Sequence, residues 1–367
     1  MLSGKIKNDT RLINNRTGAE ERLSKIMWLK GGKQEDAGEI IAGDIGSVSK
    51  LGNVLTGDTL SASGKLAAAA VDFPAPTISV AVYPKAKGDE EKITQAFSRL
   101  CEEDPTIKVY TDNETHEQIL SALGEQHIDV IISRLKSKFG AEVELKKPKI
   151  AYRETIRRPV KVQGRHKKQS GGHGQFGDVW IEFEPCDSDE LVFEEKVFGG
   201  SVPKNFFPAV EKGLREACVH GPLAGYPVVN LKAVLYDGSY HPVDSSEIAF
   251  KTAANLAYKA AMPEASPVLL EPVCELKVTV PDQYMGDILG DLNKRRGRVM
   301  GMTPTGNGEQ IIEAECPEAE LMSYAIDLRS MTQSRGSFVM HFVRYEQCSA
   351  DAQAKAVAAA KAMQEAE

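Results

Sequence analysis

The 367-residue sequence has no apolar run long enough to cross a bilayer as a helix. The stretches at 66–71 and 128–132 fall far short of the ~20 residues required, and Met1 is not followed by a signal-like apolar core. The expectation is a cytoplasmic protein with no membrane partner. The six cysteines, Cys101, Cys186, Cys218, Cys274, Cys316 and Cys348, include no C-x-x-C pair, which suits reduced thiols and gives a zinc or disulfide framework no support. Catalytic signatures are missing too. There is no G-x-x-x-x-G-K-[ST] phosphate loop, no H-E-x-x-H pair, no G-x-S-x-G elbow and no H-R-D loop, and Asp72-Phe73 is followed by Pro74 rather than glycine. The chain by itself is therefore expected to be no enzyme and to hold neither metal nor cofactor.

Charge, by contrast, is present and unevenly distributed. The formal net charge is −7, yet residues 146–168 read KKPKIAYRETIRRPVKVQGRHKK with Glu154 as the sole acid. A second basic knot, Lys294, Arg295, Arg296 and Arg298, sits in NKRRGR. One such run is as readily a solvated face. Two in an acidic chain point to an anionic partner, because local potential rather than net charge attracts phosphate.

The first basic run leads into QSGGHGQFG, residues 169–177, in which Gly172, Gly174 and Gly177 spell G-x-G-x-x-G with Val179 after them. Val160 and Val162 alternate before the glycines, and Val179, Ile181 and Phe183 after them, opposite Asp178, Glu182 and Glu184. A strand-to-strand context is wrong for a dinucleotide fold, where a helix follows the glycines. A kinase loop has the right context but none of its partner motifs. His166 and His173 flank the loop as surface histidines. What remains is contact with a phosphate backbone through Arg165, His166, Lys167, Lys168, Gln169, Ser170 and backbone N–H groups. The alternative is a hairpin tip with solvated lysines.

Turn signals at short spacing over residues 1–70 predict part of a small β-barrel. Residues 78–82 then alternate as a strand, 90–101 place Ile93, Ala96, Phe97 and Leu100 on one helical stripe, and 107–110 and 115–119 read as strands. A helix over 124–139 and a strand at 143–145 complete a βαββαβ unit. The same order returns near the C-terminus: strand 274–280, helix 283–294, strands 299–303 and 310–315, helix 317–330, strand 337–345. Between the two units, Asp244 and Glu247 read as a capping box before an apolar helical stripe of Ile248, Phe250, Ala253, Ala254, Ala257 and Tyr258. Residues 350–367 are Ala-rich and charged, a frayed helix or a disordered end.

The residues also carry a family resemblance. KQSGGHGQFGDVWIEFEP, AGYPVVNLKAVLYDGSYHPVDSSEIAFKTAA, GDILGDLNKRRGRVMGM and MTQSRGSFVMHF resemble the C-terminal domains of bacterial elongation factor G. FPAPTISVAVYPKAKGDEEKITQAFSRLCEEDP, GEQHID and AYRETI resemble the domain before them. The resemblance spans residues 1–348 in order. It implies an α+β multidomain chain: a partial domain II β-barrel (1–70), a ferredoxin-like domain III (71–146), a ribosomal-protein-S5-like domain IV (147–271), a ferredoxin-like domain V (272–348) and a tail (349–367). The GTPase domain, with its GTP and Mg²⁺, and the start of domain II would lie outside this sequence.

The function so implied is that of a monomeric ribosomal translocase, whose partners are both ribosomal subunits, tRNA and mRNA. Its domain IV tip would be Lys167, Lys168, Gln169, Ser170, Gly171, Gly172 and His173, together with Ser239, Tyr240 and His241. Lys294, Arg295, Arg296 and Arg298, in domain V, would suit large-subunit RNA on grounds of charge. The family commonly has Arg in place of His173, Asp in place of Pro242 and Leu in place of Gln126. A histidine carries less charge at neutral pH. These departures leave open a paralogue acting in ribosome recycling or protection. A stand-alone RNA-binding module is a further alternative.

Overall fold

The computed structural model describes residues 1–169 and 174–366, which divide into two compact units. One comprises residues 1–112 and 117–147, the other 113–116 and 148–367. The first begins with eight short strands: Lys5–Lys7 (β1), Thr10–Asn14 (β2), Glu20–Leu23 (β3), Ile26–Lys30 (β4), Lys33–Asp36 (β5), Glu39–Ile41 (β6), Ser47–Val48 (β7) and Leu60–Ser61 (β8). They form three small sheets, β1-β6, β3-β2-β8 and β5-β4-β7. Leu23, Ile26 and Ile40 are buried among them. The buried Asn14 donates to the Asn53 carbonyl (3.0 Å) and to Asp58 (2.8 Å). Arg16 also pairs with Asp58 and holds its carboxyl well below the usual range.

The rest of this unit is β9 (Ile78–Pro84), α1 (Glu90–Glu103), β10 (Lys108–Thr111), β11 (Gln118–Ala122), α2 (Glu125–Phe139) and β12 (Val143–Lys146). Their antiparallel order, β10-β11-β9-β12, is that of a ferredoxin-like sheet. The stripe Ile93, Ala96, Phe97 and Leu100 is buried as its spacing predicts. Helix α2 ends at Gly140, in the left-handed region at φ 62°, whose N–H closes the last turn on Lys136. The strand expected at 115–119 lies three residues later. His116 has φ 55°, which an extended chain cannot run through, so pairing starts at Gln118.

The second unit starts with β13 (Arg153–Ile156), β14 (Val160–Gln169), β15 (Gly174–Pro185), β16 (Val192–Glu195), α3 (Phe207–Ala217), β17 (Leu231–Ser239) and α4 (Glu247–Glu264). It continues with β18 (Pro267–Pro281), α5 (Met285–Lys294), β19 (Arg298–Pro304), β20 (Glu309–Pro317), α6 (Tyr324–Thr332), β21 (Ser337–Gln347) and α7 (Ala350–Ala366). Helices α3 and α4 pack on the sheet β14-β15-β17-β16 through Val179, Ile181, Phe183, Leu231, Leu235 and Phe250. The order β19-β20-β18-β21 repeats the ferredoxin-like arrangement. Strand β18 also pairs at its start with β13, from Arg153 opposite Leu270 to Ile156 opposite Pro267, so one strand joins the two halves of the unit.

Two local readings change. Helix α4 is capped by Ser246, whose side chain accepts from the Ala249 amide, while Asp244 turns away into the preceding loop. The C-terminal segment is a docked helix. Ala356 and Ala360 are buried, Ala352 and Ala356 pack by Leu269 and Cys348, and Gln353 accepts from the Leu269 amide at 3.0 Å.

Candidate nucleic-acid interface

Strands β14 and β15 form a long hairpin whose register runs from Val160 opposite Phe183 to Gln169 opposite Gly174. Alternation sends Val160, Val162 and Gly164 toward α4 and leaves Lys161, Gln163, Arg165 and Lys167 on the other face. The approach of α4 explains two glycines. A Cβ on Gly177 would lie 2.5 Å from the Ala249 carbonyl oxygen, and one on Gly164 would overlap the Ala253 carbonyl. Ala249, Ala253 and Ala257, all fully buried, supply the matching flat face of the helix. Ser170, Gly171, Gly172 and His173, predicted tip residues, lie outside the described residues.

Beyond β17 the segment 239–245 folds back along the hairpin. Phe176 donates its amide to the Asp244 carbonyl (2.9 Å), Gly174 donates to the Asp244 carboxylate (3.0 Å), and Ser245 Oγ donates to the Phe176 carbonyl (3.0 Å). A Cβ on Gly174 would be 2.9 Å from that carboxylate, so a larger residue here would push the Asp244 side chain aside. Below this seam, the buried Asp178 accepts from Ser239 Oγ (2.6 Å) and Gln163 Nε2 (2.8 Å). Ser239 is therefore spent on the fold. Asp178, which alternation sets opposite Val179 and Ile181, is its anchor.

His241 Nδ1 accepts from the Asp244 amide at 3.1 Å and lies 3.3 Å from its carboxylate. Nε2 has no hydrogen-bond partner among the described residues, and the side chain is about half exposed. The ring tilts against Phe176 at 6.4 Å between centroids, and Arg165 covers Phe176 at 5.6 Å. Tyr240, Lys167, Lys168 and Gln169 are exposed nearby in the chain. Sequence reading missed Asp178, Phe176, Asp244 and Ser245 as builders of this tip. Their partners lie some sixty to seventy positions away, as in the 70-residue separation of Gly174 and Asp244, so no local signal marks them.

The second basic knot is paired within the chain. Arg295 pairs with Asp291 (2.7 Å) and Asp327 (2.6 Å), donates to the Glu320 carbonyl, and lies over Tyr324. Arg296 forks onto Glu271 at 2.7 and 2.8 Å and reaches Glu320 at 3.0 Å. Arg298 is shared between Glu315 and Glu346. Carboxylates from several elements thus neutralise three of the four cations, and Lys294 alone of them stands exposed with no ion-pair partner among the described residues.

Burial pushes the thiols of Cys218, Cys274, Cys316 and Cys348 up to about 12, which suits packing and not attack. No cluster of three metal-ligating side chains occurs among the described residues, and none of the described helices is long and apolar enough to cross a membrane.

Four models of one family match the chain in order. Elongation factor G domain 2 covers residues 1–63, domain III covers 73–147, domain IV covers 148–266 and the elongation factor G C-terminus covers 268–356. The crystal structure of a protein from Thermus thermophilus matches with a TM-score of 0.82 and 38% sequence identity. The match covers 98% of this chain and 54% of that one, so this chain spans about half its neighbour's length.

Proposed function

Since the chain belongs to the elongation factor G family, we propose that within its translation-elongation role it engages the ribosome, with the domain IV tip set between tRNA and mRNA during translocation. The observation that carries this reading is the seam of Gly174, Phe176, Asp244 and Ser245, which ties the segment 239–245 to the start of β15. A tip held by several bonds to backbone loses little further freedom on entering a groove. Arg165, Lys167 and Lys168 bring cations to phosphate, and His241 Nε2, without a partner among the described residues, is open to a polar group of RNA.

In this reading GTP and its Mg²⁺ are not held here: among the described residues, the glycine positions serve packing. The glycine loop joins two antiparallel strands, and the space over Gly174 and Gly177 is taken by Asp244 and the α4 backbone. In this reading the chain's own part is steric and electrostatic, and GTP hydrolysis belongs to a domain outside this sequence. The factor acts as a monomer in the cytoplasm, on both ribosomal subunits.

The test is co-sedimentation of the chain with 70S ribosomes at moderate salt. Binding that weakens on His241→Ala and on deletion of residues 170–173 supports the reading; no binding, or indifference to both changes, overturns it. Pro242 in the second tip loop, where the family commonly has Asp, favours a second reading as a recycling paralogue. Assays of translocation against subunit splitting, with the missing domain restored, separate the two.

A further inference from the structure

Phe176 is the first large apolar side chain of β15, yet its ring is not part of the core. Alternation puts Gly177 against the backbone of α4, so Phe176 stands on the other face of the hairpin, directly across from Lys167. It is not among the side chains that fill the space beneath α3 and α4. The ring meets two polar side chains instead. The Arg165 guanidinium lies over it at 5.6 Å from the centroid, and the His241 imidazole tilts against it at 6.4 Å between centroids and 58° between planes. Asp178, across from Arg165 in register, is taken up by Gln163 and Ser239.

His241 is otherwise held at its main chain and at one ring nitrogen. Its amide donates to Ser245 Oγ (2.9 Å), its carbonyl accepts from the Ser245 amide (3.1 Å), and Nδ1 is turned to Asp244, 3.1 Å from the amide nitrogen and 3.3 Å from the carboxylate. Contacts at Nδ1 alone leave the imidazole able to swing about that atom. A second ring packed against it fixes the tilt and leaves Nε2 directed away from Asp244.

We propose that Phe176 is a positioning residue for His241: its ring, with Arg165 against it, sets the imidazole so that Nε2 meets RNA in one orientation. This rests on the reading of the tip as an RNA-contacting end. An imidazole ordered in advance costs less to immobilise at an interface. The seam bonds of Phe176 run through its main chain, its amide to the Asp244 carbonyl and its carbonyl from Ser245 Oγ. A change of side chain therefore leaves them in place.

The test is a double-mutant cycle on 70S ribosome binding by the whole chain, with the His241 imidazole signals, identified by their loss in His241→Ala, followed by proton NMR. Phe176→Leu keeps apolar bulk without the flat ring. It is expected to move those signals and to weaken binding about fivefold at an unchanged melting temperature, and Phe176→Tyr to restore both. In the His241→Ala background, Phe176→Leu is expected to cost nothing further. Losses that add in the double variant would mean that Phe176 touches RNA on its own account. Full binding by Phe176→Leu beside weakened His241→Ala would mean that the imidazole needs no ring at its side. Either result overturns the proposal and leaves the tip reading standing, as do unmoved signals or a Phe176→Tyr that restores nothing. If His241→Ala binds like the parent, or the parent does not bind, the tip reading itself fails and takes the proposal with it.

Discussion

Single residues here divide between those that face a partner and those that let the fold close, and the glycines show how easily the two are confused. Gly177 completes a spelling associated with phosphate loops, yet its missing side chain makes room for the backbone of Ala249 and Phe250. Backbone cannot yield as a flexible side chain can. Gly177→Ala is expected to destabilise the unit by about 1–3 kcal/mol, the usual range for overpacking, read as a lower urea midpoint at unchanged slope. A change in RNA affinity with unaltered stability would count against this assignment. Glu154, the lone acid of the basic run, is a second such case. It is fully buried and accepts from the amides of Leu223 (2.8 Å), Ala224 (2.9 Å) and Tyr226 (3.2 Å). Burial pushes its pKa up, against the downward pull of those amides. Glu154→Gln would turn an NH₂ group toward backbone donors, at a cost of about 2–4 kcal/mol by chemical denaturation. A stability equal to the parent's would show that the loop finds another acceptor.

At the scale of elements, periodicity carried the reading as far as it could go. The stripe of α1 and the alternation of β14 and β15 are visible because burial repeats with the local geometry. Pairings between distant segments leave no such trace. Nothing local indicates that β13 adds to the start of β18, that Asp244 leaves the capping role to Ser246, or that Arg296 belongs to Glu271. The same limit hid the carboxylate ladder on the C-terminal sheet, where Glu315 from β20 meets Arg344 of β21 at 2.7 Å and Arg298 of β19 at 2.8 Å. Arg344 first, then Arg298, hold the Glu315 carboxyl down to about 2 from an ordinary 4.5. A depressed folded-state pKa contributes stability above pH 4.5 that is lost as pH falls toward about 2. Acid titration of thermal stability should therefore show a drop in that window, and Glu315→Gln should flatten it and lower stability at neutral pH. An unchanged acid limb would assign the loss to other carboxylates.

For the molecule as a whole, a net charge of −7 and a proposed RNA partner are reconciled by where the charges are committed. Cations already held by carboxylates release few counterions on binding, whereas free ones each add to the salt dependence of association. Lys167 and Lys168 are exposed at the hairpin tip, while Arg296 is forked onto a buried Glu271. Ribosome affinity measured across salt concentrations separates the two kinds. The double change Lys167→Gln, Lys168→Gln should lower the slope of log affinity against log salt by about 1.5, at unchanged melting temperature. Arg296→Gln should do the opposite: the slope holds while the melting temperature falls, because Glu271 is left buried without its partner. Equal slope changes for both variants would mean that the C-terminal arginines leave their carboxylates to meet phosphate. In that case the ion pairs of α5 and β19 are a resting state, exchanged for RNA when the factor binds.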